Sequence, residues 1–326
     1  MKNIYLAGDI GGTKTRLALV EVVGTRVKIV HESRYASRDY ATFEGLLGEF
    51  LAATDAPSRA AFGIAGPVQG RGVQTTNLPW RIDADALQRQ FGFGCVLLND
   101  LEATAFGIPA LDDSDLLILQ AGVADASGNT AVIAAGTGLG EAGLYWDGQR
   151  HQPFATEGGH ASFSPSDELE MTFFLYLKQQ FGHVSWERVV SGMGLLSLYQ
   201  FLCLYRRTAV PDWLMDEMTN GDAAAAIANA AQAGKDELCV EVLQHFVRLY
   251  GAEAGNLALK VMSRGGLYLG GGIAPKILPQ LQDGVFLEAF LNKGRMRPLL
   301  EAMPVRVILN DRTALLGAAL RAAQSA

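Results

Sequence analysis

Short apolar segments alternate with polar turns and with helical spacing along the first third of the chain. NIYLAGDI, TRLALVEVV and VKIVHESRYA have the residue content of strands and are separated by turn residues. After them, FEGLLGEFLAA predicts a helix, RAAFGIAGPV a strand, DADALQRQFG a helix that begins at an aspartate, and CVLLND another strand. Antiparallel strands followed by strand–helix–strand units predict an α/β fold with a mixed sheet.

This pattern partly repeats further along. NTAVIAAGTGLGEAGLYW again predicts a strand, a glycine-rich turn and a strand, and GGLYLGGGIAPK and VRVILND add later strands. Between them the spacing is mostly helical, including the long stretch from Asp236 to Met262. A half-repeat of this kind predicts a duplicated architecture with a cleft between the halves.

The segment LDDSDLLIL, around residues 112–115, is the predicted crossover between the two halves. RTALLGAALRAAQ, close to the end of the chain, predicts a helix that packs back onto the first domain. We therefore expect a small α/β domain of residues 1–111 plus 305–326, and a larger α/β domain of residues 112–304.

Composition narrows the class of protein. The 326 residues are 49% hydrophobic and 19% charged, which is typical of a globular chain. A formal net charge of -7 disfavours a nucleic-acid partner. The three cysteines form no CxxC pair, the start of the chain does not resemble a signal peptide, and no apolar run reaches the roughly 18 residues that span a bilayer. These features predict a cytoplasmic protein with no membrane partner.

A carboxylate stands where the strand CVLLND ends. Asn99 and Asp100 follow the apolar residues of this strand, and LEATAFG then opens a helix. Asp100 is a candidate helix cap, because Asp is favoured at that position. It is equally a candidate catalytic residue, because the ends of parallel strands carry the chemistry of open α/β folds.

Three glycine-rich turns follow predicted strands, namely DIGGTK at 9–14, AAGTG at 134–138 and LGGG at 269–272. Glycines let the backbone approach a ligand, and Thr and Lys donate to phosphate oxygens. Asp9 is a candidate for holding Mg²⁺ through water. The first of these turns matches neither the Walker nor the dinucleotide fingerprint, and each of the three alone is also compatible with an ordinary turn. Their order along the chain is the informative feature.

Two further stretches carry polar side chains suited to a polyol. TEGGHASFSP places Glu157 and His160 around two glycines, and no second histidine lies near enough to suggest zinc. In GHVSWERVVSG, Ser185 is predicted to cap a short helix that has Glu187 in its first turn. Each of these residues, taken alone, is equally compatible with a structural role.

The order of these motifs resembles the bacterial ATP-dependent glucokinases that lack the zinc motif of the ROK kinases. The resemblance runs from DIGGTKTRLAL to LLGAALRAA, and LND, TEGGH and GHVSWERVVSG are its most specific parts. It implies a two-domain ribonuclease H-like fold of the actin/hexokinase type, with mixed sheets and an interdomain cleft. It also implies that ATP with Mg²⁺ phosphorylates glucose at its C6 hydroxyl, and that the protein is a homodimer.

The resemblance assigns a role to each motif. Asp100 is implied to be the catalytic base. The residues implied to hold sugar hydroxyls are Asn99, Asp100, Glu157, His160 and Glu187. The residues implied to face ATP, with Asp9 also orienting Mg²⁺, are Asp9, Gly11, Gly12, Thr13, Lys14, Gly136, Thr137, Gly138, Ser191, Gly192, Gly271 and Gly272.

Two alternatives stay open at this point. A kinase for another hexose or for an N-acetylated amino sugar would share the fold and the aspartate, and would differ only in the shape of the sugar pocket. A non-catalytic sugar-sensing regulator or actin-like ATPase would lack the sugar base or carry an added domain. The presence of Asp100 disfavours this second alternative.

Overall fold

The computed structural model describes residues 4–75, 78–123 and 127–324. The chain separates into two compact units. The first comprises residues 1–116, 153–155 and 310–326, and the second comprises residues 117–152 and 156–309. Within the described ranges, no helix combines the length and the apolar content that crossing a bilayer requires.

The strands follow the predicted alternation closely. In chain order they are β1 (Ile4–Ile10), β2 (Lys14–Val23), β3 (Arg26–Ala36), β4 (Arg59–Ile64), β5 (Val68–Gln69), β6 (Gly72–Gln74), β7 (Arg81–Asp83), β8 (Gly94–Asn99), β9 (Leu116–Gln120), β10 (Thr130–Ala135), β11 (Leu139–Trp146), β12 (His151–Thr156), β13 (Gly266–Gly270) and β14 (Val305–Ile308).

The helices lie between and after these strands. They are α1 (Phe43–Ala52), α2 (Ala84–Phe91), α3 (Asp100–Gly107), α4 (Glu168–Phe181), α5 (Gly192–Arg206), α6 (Asp212–Asn220), α7 (Ala223–Gln232), α8 (Glu237–Val261), α9 (Leu278–Gln282), α10 (Val285–Leu291), α11 (Arg297–Glu301) and α12 (Thr313–Gln324).

Two sheets share one topology, as the half-repeat predicts. The sheet of the first unit has the order β3-β2-β1-β4-β8, with β1 antiparallel to β2 and parallel to β4. The second sheet has the order β12-β11-β10-β13-β14-β9, with β10 antiparallel to β11 and parallel to β13. In both sheets an antiparallel hairpin therefore borders parallel strands, which confirms the predicted α/β class with mixed sheets. A small third sheet has the order β5-β6-β7.

Side-chain caps begin several helices where the sequence predicts a start. The carboxylate of Asp83 accepts a hydrogen bond from the amide of Ala86 at 2.8 Å and begins α2, and Gly92 ends that helix in the left-handed conformation. The carboxylate of Asp236 caps the amide of Cys239 at 2.7 Å and begins α8. These local contacts satisfy amides that the helix itself leaves without partners.

Each unit has its own hydrophobic core. In the first unit, Phe43 packs edge-on against Phe62 with ring centroids 5.1 Å apart, and the indole of Trp80 donates to the Tyr40 carbonyl at 3.0 Å. In the second unit the core surrounds α8, where Tyr250 is fully buried and lies edge-on to Phe286. Burial of large aromatic side chains supplies much of the stability of such cores.

Helices α3 and α12 meet backbone to backbone in the first unit. A Cβ atom on Gly317 would lie 1.8 Å from the carbonyl oxygen of Ala103, and a Cβ on Gly107 would lie 2.0 Å from that of Thr313. Small residues on β1, β4 and α12 continue this close packing onto the sheet. The last helix therefore packs onto the first unit, as predicted, and it fixes the position of α3.

We expect Gly317→Ala to destabilise the first unit by roughly 1–3 kcal/mol, because the added methyl group forces two helix backbones apart. Gly48→Ala is the matched control, since Gly48 also lies in a helix and a Cβ there would be 4.0 Å from its nearest neighbour, Phe91. This control should be neutral or more stable by up to about 1 kcal/mol. Denaturant unfolding of both variants measures the difference, and equal stabilities would contradict the packing argument.

Candidate active site

Asn99 and Asp100 mark the junction of β8 and α3 in the first unit. Asn99 is the N-cap, because its Oδ1 accepts from the amide of Leu101 at 2.9 Å while its Nδ2 donates to the Gly66 carbonyl at 3.2 Å. The sequence left open that Asp100 is the cap; the structure makes it the first helical residue, with an exposed side chain. Its Oδ1 also accepts from the amide of Leu101 at 2.9 Å. The capping of α3 therefore does not depend on Asp100, because Asn99 also accepts from that amide.

Asp9 lies in β1, and its surroundings disfavour its ionised form. Burial, the nearby Asp100 carboxylate and the Asp311 carboxylate raise the pKa of Asp9 to about 6, against the opposing effect of Arg16. Arg16 pairs with Asp9 across the β1–β2 hairpin, and its guanidinium forms an ion pair with Asp311. The structure thus brings Asp9 and Asp100 together, although 90 residues lie between them in the sequence. Carboxyl groups with raised pKa values are typical of functional sites.

The turn that follows Asp9 is held by a serine that sequence reasoning missed. The buried Ser37 donates its hydroxyl to the Gly11 carbonyl at 2.8 Å and its amide to the Thr13 carbonyl at 3.0 Å. The amide of Gly11 in turn donates to the Lys14 carbonyl at 3.0 Å. Thr13 and Lys14 are exposed on this turn, where they are available to a ligand, and Gly12 is half-buried between them and Gly11.

Glu187 is tied to the second glycine-rich turn, in the second unit. Its Oε2 accepts from the amide of Leu139 at 3.0 Å, and a Cβ on Gly138 would lie 2.3 Å from the same oxygen. Glycine at 138 therefore makes room for the carboxylate. Ser185 stands at the N-cap position of the 3-10 turn that contains Glu187, but its side chain makes no capping hydrogen bond, so the predicted cap is wrong in that detail.

Glu157 and His160 are exposed on a turn packed against β11. Oε2 of Glu157 and Nε2 of His160 are 3.9 Å apart. A Cβ on Gly158 would lie 1.9 Å from Oε2 of Glu141, and one on Gly159 would lie 2.0 Å from the Leu139 carbonyl oxygen. The two glycines therefore let the turn rest directly on the strand, and the two polar side chains project from it.

Ser191 and Gly192 connect Glu187 with the glycine-rich turn. Ser191 is fully buried; its hydroxyl donates to the Glu187 carbonyl at 2.6 Å and accepts from the amide of Gly194 at 3.1 Å, which begins α5. The amide of Gly192 donates to the Gly136 carbonyl at 2.9 Å. The hydrogen bonds of Ser191 are made with other protein groups, whereas Gly192 borders a cavity.

A cavity of about 660 Å³ opens in the second unit beside these glycines. Gly136, Thr137, Gly192 and Gly272 line it, so it brings together residues of three of the four segments that the resemblance assigns to the nucleotide, and none from the turn at 9–14. The adjacent Gly271 has a φ of +80°, and a Cβ there would lie 2.3 Å from the Ala135 carbonyl oxygen. The volume is within the roughly 300–1,000 Å³ of pockets for small ligands.

The remaining polar lining of this cavity was missed from the sequence. It consists of Asp222, Asn229, Gln232 and Lys276. Asn229 and Gln232 lie one turn apart on α7, whose other lining residues are alanines. Small residues leave room on that helix face, and two amides one turn apart offer donors and acceptors to a ligand. That spacing in AAAAIANAAQ was the available signal.

Asp9 is the candidate metal ligand. No group of three or more His, Cys, Asp or Glu side chains with metal-ligating geometry occurs among the described residues. Magnesium in kinase sites is usually held by one or two carboxylates together with phosphate oxygens and water. The partly buried carboxyl of Asp9, with a second carboxylate beside it, fits that chemistry of hard oxygen donors.

Comparison with known proteins agrees with this arrangement. The glucokinase family model matches residues 6–325. A glucokinase of Nostoc punctiforme is 44% identical over 338 residues, covering 98% of this chain and 99% of that protein. The crystal structure of a glucokinase from an Antarctic psychrotroph has a TM-score of 0.89 at 31% identity, with both chains covered completely. A Balamuthia mandrillaris glucokinase in complex with glucose has a TM-score of 0.78 at 22% identity, covering 99% of this chain and 94% of that one, and it supports the fold alone.

The duplicated sheets, the glycine turns and these structural neighbours define the chain as a sugar kinase of the hexokinase-type fold. Within that class it belongs to the glucokinase family.

We expect Asp9→Asn to gain stability relative to the wild type as the pH rises. The pKa of Asp9 in the folded protein, about 6, is above its ordinary value of 3.8, so the native state holds an extra proton between these values and wild-type stability falls across that interval. Asp9→Asn removes the titrating group, so the variant does not lose this stability, which amounts to up to about 3 kcal/mol. Denaturant unfolding at about pH 4 and about pH 7 measures the change.

Asp311→Asn is the control of opposite sign. Arg16 holds the pKa of Asp311 below its usual range, so that the wild type gains stability from this group as the pH rises and the variant does not. A difference between Asp9→Asn and the wild type that is independent of pH would overturn the assignment of the raised pKa to Asp9.

Proposed function

We propose that this protein transfers the γ-phosphoryl group of ATP to the C6 hydroxyl of glucose, giving glucose 6-phosphate and ADP, with Asp100 as the general base. The observation that carries the proposal is the position and exposure of Asp100. It is an exposed carboxylate on the first turn of a helix that glycine contacts hold in place, and it lies beside Asp9. Membership of the glucokinase family supports the same reaction.

Asp100 acts as a base because of where it is held relative to the sugar hydroxyl. Phosphoryl transfer requires a hydroxyl aimed in line at the γ-phosphorus, and an acceptor for the proton that the hydroxyl loses. Asp100 accepts that proton through a carboxylate oxygen as the C6 oxygen bonds to phosphorus and the bond to the ADP oxygen breaks. Because α3 is packed backbone to backbone against α12, the carboxylate starts from a rigid element, and that limits the misalignment that slows such steps.

Sugar recognition falls to Asn99, Glu157, His160 and Glu187 together with the base. Glu157 and His160 are exposed, and Glu187 keeps one carboxylate oxygen free of its bond to Leu139 for a further acceptor role. Carboxylates accept from hydroxyl groups, and an imidazole can donate to one. Such a set discriminates against a sugar that lacks one hydroxyl, because the matching protein group would be left unpaired.

The nucleotide is proposed to occupy the cavity beside α7. Its adenosine part lies near Gly192, Gly271 and Gly272, while the glycine-rich turns at 11–14 and 136–138 present amides and the side chains of Thr13, Lys14 and Thr137 to phosphates. Ser191 acts indirectly by holding the backbone of Glu187 and the start of α5. Asp9 would hold magnesium through water, and the bound ion would supply positive charge to the phosphates of ATP.

We also propose a cytoplasmic homodimer that has neither a nucleic-acid nor a membrane partner. Free thiols at all three cysteines are compatible with a reducing compartment. A net charge of -7 disfavours nucleic acid. Exposed apolar side chains on α4 and α5, including Met171, Leu175 and Leu204, support a contact with a second copy of the chain.

The first test is a steady-state assay with Mg-ATP and a panel of sugars. We expect glucose to have a far higher kcat/KM than mannose, fructose, galactose or N-acetylglucosamine, because the chain belongs to the glucokinase family. Preference for another member of the panel would retain the kinase mechanism and replace the substrate. Absence of phosphorylation for every sugar would favour a sugar-sensing regulator and overturn the proposal.

The second test is Asp100→Asn. The amide keeps the size of the side chain and cannot accept the proton, so kcat should fall by roughly a hundredfold or more. Folding should be retained, because Asn99 still caps α3. Circular dichroism and thermal unfolding check the fold, and a variant with a wild-type kcat would show that Asp100 is only a first-turn residue of the helix.

A further inference from the structure

A buried pair of carboxyl groups lies under the turn that carries Glu157 and His160. Glu141 projects from β11 and is 1% exposed, and Glu253 projects from α8 and is 0% exposed. Among the described residues, Oε1 of Glu141 has no hydrogen-bond partner. A side chain of this kind is costly to bury in its charged form, and none of the roles proposed above uses it.

The two carboxyl groups differ in their partners. Glu253 accepts from Asn256 at 2.7 Å and from the ammonium of Lys260 at 3.2 Å, which suits a carboxylate. Lys293 donates to the Ala252 carbonyl at 2.9 Å and to Asn256 at 2.8 Å. Because Asn256 also contacts Glu253, a second ammonium lies near the Glu253 carboxylate. Burial and the nearby charge of Glu253 raise the pKa of Glu141 to about 8, against the opposing effect of Lys260. At neutral pH, Glu141 is therefore the protonated member of the pair.

Glu141 also lies directly beneath the turn formed by Gly158 and Gly159, which we call the sugar turn. The hydroxyl of Thr156 donates to the Glu141 carbonyl at 2.8 Å and accepts from the amide of Gly158 at 3.2 Å. Gly158 lies so close to Oε2 of Glu141 that a Cβ would be 1.9 Å from it. The side chain and the backbone of one residue thus support the turn between Glu157 and His160.

Loss of the proton from Glu141 would put two carboxylates side by side in a buried place. Their repulsion must be relieved by movement. The backbone of Glu141 cannot yield easily, because it pairs with Ile133 inside the sheet. The turn at Gly158 and Gly159 lies outside the strands of the sheet, and the side chains of Glu157 and His160 are exposed, so the displacement falls on the turn.

We propose that Glu141 is a positioning residue for sugar binding, whose protonated carboxyl holds the Gly158–Gly159 turn in the binding conformation and whose ionised form releases it. The titratable groups that face this arrangement are Glu253 and Lys260 on α8, Lys293 after α10, and Glu157 and His160 on the turn itself. The inference rests on the proposed role of Glu157 and His160 in holding the sugar.

The test compares the KM for glucose at about pH 7 and about pH 9 in the wild type, in Glu141→Gln and in Glu288→Gln. In the wild type the binding-competent fraction should fall as Glu141 ionises, so this KM should rise by up to about tenfold, while the KM for ATP changes much less. Glu141→Gln cannot ionise at this position and should lose the rise. Glu288 lies exposed on α10, so Glu288→Gln controls for the loss of one carboxylate and should keep the wild-type ratio.

The outcomes separate the two proposals. A wild type that phosphorylates no sugar overturns the proposed function. A wild type that uses glucose, beside a Glu141→Gln variant with the same rise in KM, overturns the role of Glu141 and leaves the function standing. A wild type that uses glucose with no rise in KM at alkaline pH overturns that role as well.

A measurement on the wild type alone covers the case of a variant that does not fold. Calorimetric titration with glucose at about pH 8, in two buffers of different ionisation enthalpy, reports the protons taken up on binding. Binding that selects the protonated form of Glu141 must take up protons there. Binding without proton uptake would overturn the proposal.

Discussion

Direct contact between backbones, at positions where no Cβ atom fits, is the constraint on which the candidate residues of each unit depend. In the first unit, Gly107 and Gly317 let α3 and α12 touch, and this contact sets the position of Asp100. In the second unit, Gly138 admits the carboxylate of Glu187, and Gly158 and Gly159 let the sugar turn rest on β11. Glycine contributes no side-chain burial, so its use at these places weakens the local structure in exchange for close approach. These contacts set the backbone positions from which the candidate side chains project.

Charge is distributed around these contacts according to burial. Asp9 and Glu141 both sit where the ionised form is disfavoured, and each has a second carboxyl group nearby, Asp100 in one case and Glu253 in the other. Such arrangements reduce stability at neutral pH, and proteins retain them mainly at functional positions. Asp9 is suited to a ligand that brings positive charge, whereas Glu141 already has a neutralising proton and so serves the shape of the turn.

Local rules account for most of what the sequence predicted correctly. The strands and helices follow from hydrophobic spacing, and the starts of α2 and α8 follow from Asp83 and Asp236, whose capping partners lie within three residues. The order of the motifs, with LND, TEGGH and GHVSWERVVSG as the most specific, predicted the family. The errors also have local causes. Asn99 and Asp100 both have capping chemistry, so their neighbours could not decide between them, and Ser185 occupies a cap position without making the bond.

The sequence by itself therefore determined the duplicated α/β pattern, the family and the identity of the polar residues that stand at the ends of strands. Only the tertiary structure decided which of them act together and what supports them. Ser37 under the first turn, the amides of α7 beside the cavity, and the Glu141–Glu253 pair under the sugar turn all act on segments distant in the chain. The physical reason is the separation along the chain between the residues on which each effect depends. Helix caps and hydrophobic periodicity depend on residues a few positions apart, whereas desolvation, the exclusion of a Cβ atom and repulsion between buried charges depend on contacts that exist only after the chain has folded.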